Sequence, residues 1–265
     1  MFNIRKPSIL HLLLTVTICL QLTILYRTYR GTFLVPQATS NQRVQDFLTR
    51  ERDNPLRPAQ ETLDHVKVKI SQSRTRGEPA APVAIVEFSD YECPFCRQYA
   101  VSTFPEIEKH YISTGKVKYS VHNFPLTAVH PSAIRLAQLA ECAGNQGKYW
   151  AAHERIFEAH TVGRIDEDSW FQDMGLDSFK FKSCMNDGAT LKDIDDDTRS
   201  AQSLGLRGTP TFYLGLAHAA DDSVDVTRVI RGAQPYDAFK EVIDELIRSA
   251  RQQEHDKGSS SRFGS

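Results

Sequence analysis

Two cysteines separated by two residues, in Cys93-Pro94-Phe95-Cys96, are the part of this 265-residue chain best equipped for chemistry. A CxxC pair can close and exchange a small disulfide, or supply half of a four-ligand zinc site. The flanking sequence places the pair. Val83 to Val86 is a short Val/Ile-rich run that reads as a buried strand. Beyond Cys96, Tyr99, Phe104, Ile107 and Tyr111 fall at mixed helical spacings, and Pro105 kinks the helix or opens a new segment. The pair therefore sits where a strand hands over to a helix, with Cys93 at the helix N-terminus.

That position has a chemical consequence. The first turn of a helix offers unpaired backbone N–H groups and the positive end of the macrodipole. A sulfur there is held as thiolate, below the usual thiol pKa of about 8.5. Pro94 suits the first turn because its missing N–H is not needed there. Cys96, one turn further in, can close a disulfide with Cys93. A stabilised Cys93 thiolate is a good leaving group and makes that disulfide more oxidising. A zinc site would ask for a second tight Cys/His pair. Instead Cys142 and Cys184 stand alone, and His110, His122, His130, His153 and His160 are scattered. Redox chemistry is the preferred reading, with a thiol-based metal-binding module holding a soft cation at Cys93 and Cys96 as the alternative from another class.

Taken with Gly208-Thr209-Pro210-Thr211-Phe212 downstream, the run Glu87 to Cys96 resembles the DsbA-like thiol:disulfide oxidoreductases, in the branch that carries a helical domain inserted in a thioredoxin fold. The resemblance runs from about Val66 to Arg251. It implies an α/β fold, a thioredoxin-like sheet interrupted by an all-helical insertion. It also implies that Pro210 is cis and faces the CxxC pair, with the Thr209 backbone free to pair with an extended substrate. Pro94, Phe95, Thr209 and Pro210 would then contact substrate. Glu87 has two readings, an outward-facing residue where the strand emerges or a semi-buried carboxylate of raised pKa exchanging protons with Cys96. Its place six residues before Cys93 matches the acidic residue of the resembled enzymes. Cys142 and Cys184 are either two buried thiols or the structural disulfide that some members of this branch carry. The resemblance implies no metal or organic cofactor.

The expected organisation follows. Residues 1–30 form a membrane anchor or signal sequence, since Ile9 to Tyr26 is just long enough to span a bilayer. Its flanking charges, Arg5 and Lys6 against Arg27 and Arg30, do not set an orientation. Residues 31–62 form a polar tether. The oxidoreductase domain covers 63–251, with the helical insertion at about 128–204, and a polar Gly/Ser-rich tail covers 252–265 as a disordered segment. Within the domain, Val66, Val68 and Ile70 read as an edge strand and Lys116 to Phe124 as the parallel partner of the first strand. Four helices are expected at Ser132 to Ala143, Lys148 to His160, Asp177 to Met185 and Ala189 to Leu204. The last is read with Leu191 inward and Asp193, Asp195, Asp196 and Asp197 outward. Gly215 to Ser223 reads as a hairpin loop and Pro235 as the start of the final helix.

With 40% hydrophobic and 25% charged residues the composition is that of a globular protein, and a net charge of −1 argues against general nucleic-acid binding. The functional expectation is a monomer that donates its Cys93–Cys96 disulfide to unfolded or folding cysteine-containing proteins. It would be anchored to a membrane, with its domain in an oxidising, periplasm-like compartment, and be reset by a separate redox-recycling partner. The residues alone leave the direction of electron flow open, so a disulfide reductase or isomerase using reduced Cys93 as nucleophile is the alternative within the class.

Overall fold

The computed structural model describes residues 21–22, 61–159, 167–218 and 220–260. Apart from 21–22 and 61–62, the expected anchor and tether lie outside the described residues. Among those described, no helix is long and apolar enough to cross a membrane.

Six strands build one sheet in the order β1-β6-β5-β3-β4-β2. They are β1 (Glu61–Lys69), β2 (Thr75–Arg76), β3 (Val83–Ser89), β4 (Val117–Asn123), β5 (Thr211–His218) and β6 (Ser223–Arg231). β3 and β4 run parallel, joined by a crossover through α1 (Pro94–Ser102) and α2 (Phe104–Ile107), and every other pairing is antiparallel. Pro105 opens α2 rather than bending one continuous helix.

All seven residues of β3 are buried, as a central strand covered on both faces requires. Its side chains alternate between two cores. Val83 and Ile85 face α1, Tyr119 of β4 and Phe239, Val242 and Ile243 of the C-terminal helix α8 (Tyr236–Ser260). Ala84, Val86 and Phe88 face the other way, onto Val68, Tyr213, Val224 and Val226. The same alternation turns Glu87 toward the α1 side. The strand period thereby puts a carboxylate under the cysteines.

Between β4 and β5 lie five helices: α3 (Ala133–Gly144), α4 (Tyr149–Glu158), α5 (Glu167–Asp173), α6 (Ser178–Asn186) and α7 (Ala189–Ser203). Four match the sequence reading; α5 was not expected. Cys142 on α3 and Cys184 on α6 form a disulfide across a sequence separation of 42 residues, so the free-thiol reading gives way. Closing that loop stabilises the fold by about 4 kcal/mol in the chain-entropy account.

Four expectations are corrected. Asp197 on α7 points inward, not out, because it belongs to a buried ionic cluster. Arg74 Nη1 donates to Asp197 Oδ2 at 2.5 Å and to Glu141 Oε1 at 2.8 Å, and the Asn123 backbone N–H donates to Asp197 Oδ2 at 2.8 Å. The cluster ties α3 and α7 to the end of β4. Leu191 takes the opposite place, 43% exposed. The hairpin loop is shorter than Gly215 to Ser223, since β5 continues to His218. Gly215 is no turn: it marks a register shift against β6, where a Cβ would collide with the Asp225 carbonyl. Finally, α8 carries residues 252–260 of the expected disordered tail, with a Gln252–Asp256 side-chain bond one turn apart.

Candidate active site

Cys93 occupies the N-cap of α1 in extended conformation, with Pro94 next to it inside the helix. Its backbone N–H bonds the Asp90 carbonyl at 3.1 Å, which fixes the turn out of β3. Both cysteines of the pair are free thiols in this structure, and both are buried. Phe95, between them, is 59% exposed.

Thr209 and Pro210 arrive opposite the pair from the start of β5, joined by a cis peptide bond. The Cys93 thiol donates to the Thr209 carbonyl at 3.4 Å. The structure thus gathers Cys93, Cys96, Thr209 and Pro210 into one place although 116 residues separate Cys93 from Thr209. Pro94 and Phe95 flank it on the solvent side.

The two sulfurs differ sharply in acidity. Cys93 is lowered to about 5, first by the hydrogen bond from the Cys96 thiol, against the opposing effect of burial, and then by Thr209 and the backbone N–H groups of Cys96 and Phe95. Cys96 is pushed well above the usual thiol value by complete burial, by the bond it gives to Cys93 and by the negative charges of Glu87 and Cys93. Its sulfur accepts from the Asp90 N–H at 3.4 Å.

Glu87 is 2% exposed, which removes the outward-facing reading. Its carboxyl is raised to about 7 by burial, moderated by the Tyr119 hydroxyl and added to by the Cys93 charge. Tyr119 donates to Oε2 at 2.6 Å, while Oε1 meets no partner among the described residues. A carboxyl that ionises near neutrality under two sulfurs can hold or release a proton during exchange.

Asp90 was not singled out in the sequence, yet it organises the whole turn. Its Oδ1 accepts from the Glu92 N–H and its Oδ2 from the Leu126 N–H, both at 2.8 Å. His130, one of the scattered histidines, places Nδ1 2.8 Å from Asp90 Oδ2. Glu92 reaches the same segment by accepting from the Ser132 N–H at 2.7 Å. Only the three-dimensional path of the 124–132 loop reveals these partners. That loop also lines a cavity of about 650 Å³ with Leu126, Val129, Ile134, Leu191 and Arg207.

The comparisons with known proteins fit this geometry. A family model described as Thioredoxin matches residues 69–245. The chain is 32% identical over 151 residues to a Na(+)/H(+) antiporter NhaA 1 of Salinispora arenicola, covering 56% of this chain but 22% of that protein. The chain therefore spans less than a quarter of that relative's length. It is 28% identical over 185 residues to Disulfide bond formation protein D of Bacillus subtilis, covering 65% of this chain and 76% of that one. In fold it is similar to the crystal structure of alpha-DsbA1 from Wolbachia pipientis, with a TM-score of 0.57 and 24% identity over 68% of this chain and 93% of that chain.

Proposed function

This chain belongs to the thioredoxin family, and from that premise we propose that it is a DsbA-like thiol:disulfide oxidoreductase that works as an oxidant. In its oxidised form a substrate thiolate attacks Cys93 Sγ, the Cys93–Cys96 bond breaks, and Cys96 leaves to take up a proton, with Glu87 as the proton relay. A second substrate thiolate then attacks the substrate sulfur of the mixed disulfide and expels Cys93 as thiolate. Substrate gains a disulfide; the enzyme pair gains two electrons.

One observation carries this reading: Cys93 sits at the N-cap of α1 beside Thr209 with Cys96 fully buried behind it, an arrangement that lowers Cys93 and raises its partner. A thiol that ionises that readily is a favoured leaving group, which drives the second step and stabilises the reduced pair. Thr209 and Pro210 form the substrate clamp, with Pro94 and Phe95 as the exposed contact. The substrates are cysteine-bearing proteins that are folding outside the cytoplasm. The N-terminal segment serves as the membrane anchor, and a separate partner restores the disulfide.

The reduction potential of the Cys93/Cys96 pair tests the direction. A value near −120 mV supports an oxidant, whereas one near −270 mV means a reductant.

A further inference from the structure

The Pro94-Phe95 dipeptide puts no charged side chain between the two cysteines, and the acids closest in chain and fold, Glu87, Asp90 and Glu92, are all potentially negative. Asp90 is the most intrusive. Its carboxylate is fully buried, its carbonyl caps the turn at Cys93, and its N–H bonds Cys96 Sγ. A bare negative charge at that point opposes a thiolate on Cys93. Against it stands an imidazole, which is a cation when protonated. His130 projects from the loop after β4 and bonds Asp90 Oδ2 through Nδ1 at 2.8 Å, leaving its imidazole 17% exposed.

We propose that His130, held by Asp90, is a positioning residue for thiol exchange: its imidazolium cancels the Asp90 carboxylate and so keeps Cys93 in its thiolate form. The groups acting on the imidazole are Asp90 and Glu92 in the turn after β3 and Cys93 at the cap of α1. Partial burial works against its charge, but the bond and charge of Asp90, joined by Cys93 and Glu92, carry it above the usual imidazole range. Charge is thereby shared across two segments. One is the loop that bears the exchange sulfur; the other lines the neighbouring apolar cavity. Because His130 and Cys93 stabilise each other's charged forms, each must feel the other's ionisation equally.

This inference rests on reading Cys93 and Cys96 as the exchange pair, so the experiment separates the two. The Cys93 thiolate is titrated by its ultraviolet absorbance in the reduced full chain, in wild type and in His130→Gln, His130→Arg and Asp90→Asn/His130→Gln. Expected is a rise of about one pKa unit in His130→Gln, a tenfold change in the thiol–thiolate ratio at a given pH. His130→Arg, which keeps a charge, and the double variant, which loses both, should titrate close to wild type. If wild-type Cys93 titrates as an ordinary thiol, the exchange reading itself fails. If wild type is low and His130→Gln matches it, or the double variant stays as high as His130→Gln, only the present inference is overturned. Should the variants fold poorly, the wild type still decides. The His130 imidazole, followed by NMR, should titrate lower in the oxidised chain than in the reduced one, because oxidation removes the Cys93 charge. Identical titration in both redox states refutes the coupling.

Discussion

Replacing Glu87 with Gln should stabilise the reduced domain at pH 8 and leave it unchanged at pH 4. The carboxyl is buried and ionises at about 7, against an ordinary value of 4.5. Below pH 4.5 it is protonated whether the chain is folded or not, and the glutamine stands in for it with little change. Tyr119 can still donate to an amide oxygen where it now donates to Oε2. As pH rises from 4.5 toward 7, the unfolded chain loses this proton and the folded one keeps it, so the contribution of Glu87 to wild-type stability falls by about 1.4 kcal/mol per pH unit. The loss is complete above 7 and amounts to about 3 kcal/mol, an upper figure that Gln avoids. Urea unfolding midpoints of both reduced proteins at pH 4, 6 and 8 measure it. The difference should be near zero, then about 2 kcal/mol, then about 3 kcal/mol in favour of the variant. A difference independent of pH, or a less stable variant at pH 8, would refute the account of Glu87 as a carboxyl held neutral by burial.

Other consequences can be checked in the same way. The contribution of Cys93 to the stability of the reduced domain should grow as pH rises from about 5 to about 9, against that of Glu87 below 7, because Cys93 ionises at about 5 when folded and near the ordinary thiol value when not; reduced Glu87→Gln isolates it. That contribution is lost as pH falls through 5, and closing the Cys93–Cys96 disulfide should abolish it, because a bonded sulfur does not titrate. Serine at both Cys142 and Cys184 should lower stability by about 4 kcal/mol in denaturant titration, with thiol exchange at Cys93 retained wherever the variant is folded. Arg74→Met should cost about 3–5 kcal/mol by leaving Glu141 and Asp197 buried without their cation, and a Tm close to wild type would refute that.

What the sequence discloses follows the range of the interactions involved. The strand-to-helix hand-over at Cys93 is local, so the apolar run from Val83 and the helical spacing after Cys96 reveal it. Glu87 is legible from the strand period once the facing of Val83 and Ile85 is known. Asp197 was misread because a run of aspartates looks the same whether one member meets a buried Arg74 or water; Arg74 lies 123 residues away. Gly215 was misread as a turn because a glycine required by the close approach of the Asp225 carbonyl looks like one required by a turn. The role of His130 is hidden by the same kind of distance. Nothing within its own segment shows that Asp90, 40 residues earlier, will be its partner.

The site is best understood as a contest over where one negative charge can reside. Cys93, Cys96 and Glu87 are three acids near the buried base of α1, and each raises the cost of ionising another. Cys96 and Glu87 have no surface outlet and pay the full desolvation of an anion. Cys93 alone combines the helix cap, the donated proton of Cys96 and the opening beside Thr209. The charge therefore settles first on the sulfur that substrate can reach, while Cys96 keeps its proton and Glu87 gives its own up only at about 7. Two changes would shift that balance: a donor for Glu87 Oε1, which meets no partner among the described residues, or a cation beside Cys96. The two changes should act oppositely on the potential: a Glu87 carboxylate held ionised opposes the Cys93 thiolate and makes the disulfide less oxidising, whereas a cation beside Cys96 stabilises a thiolate that only the reduced pair has and makes it more oxidising.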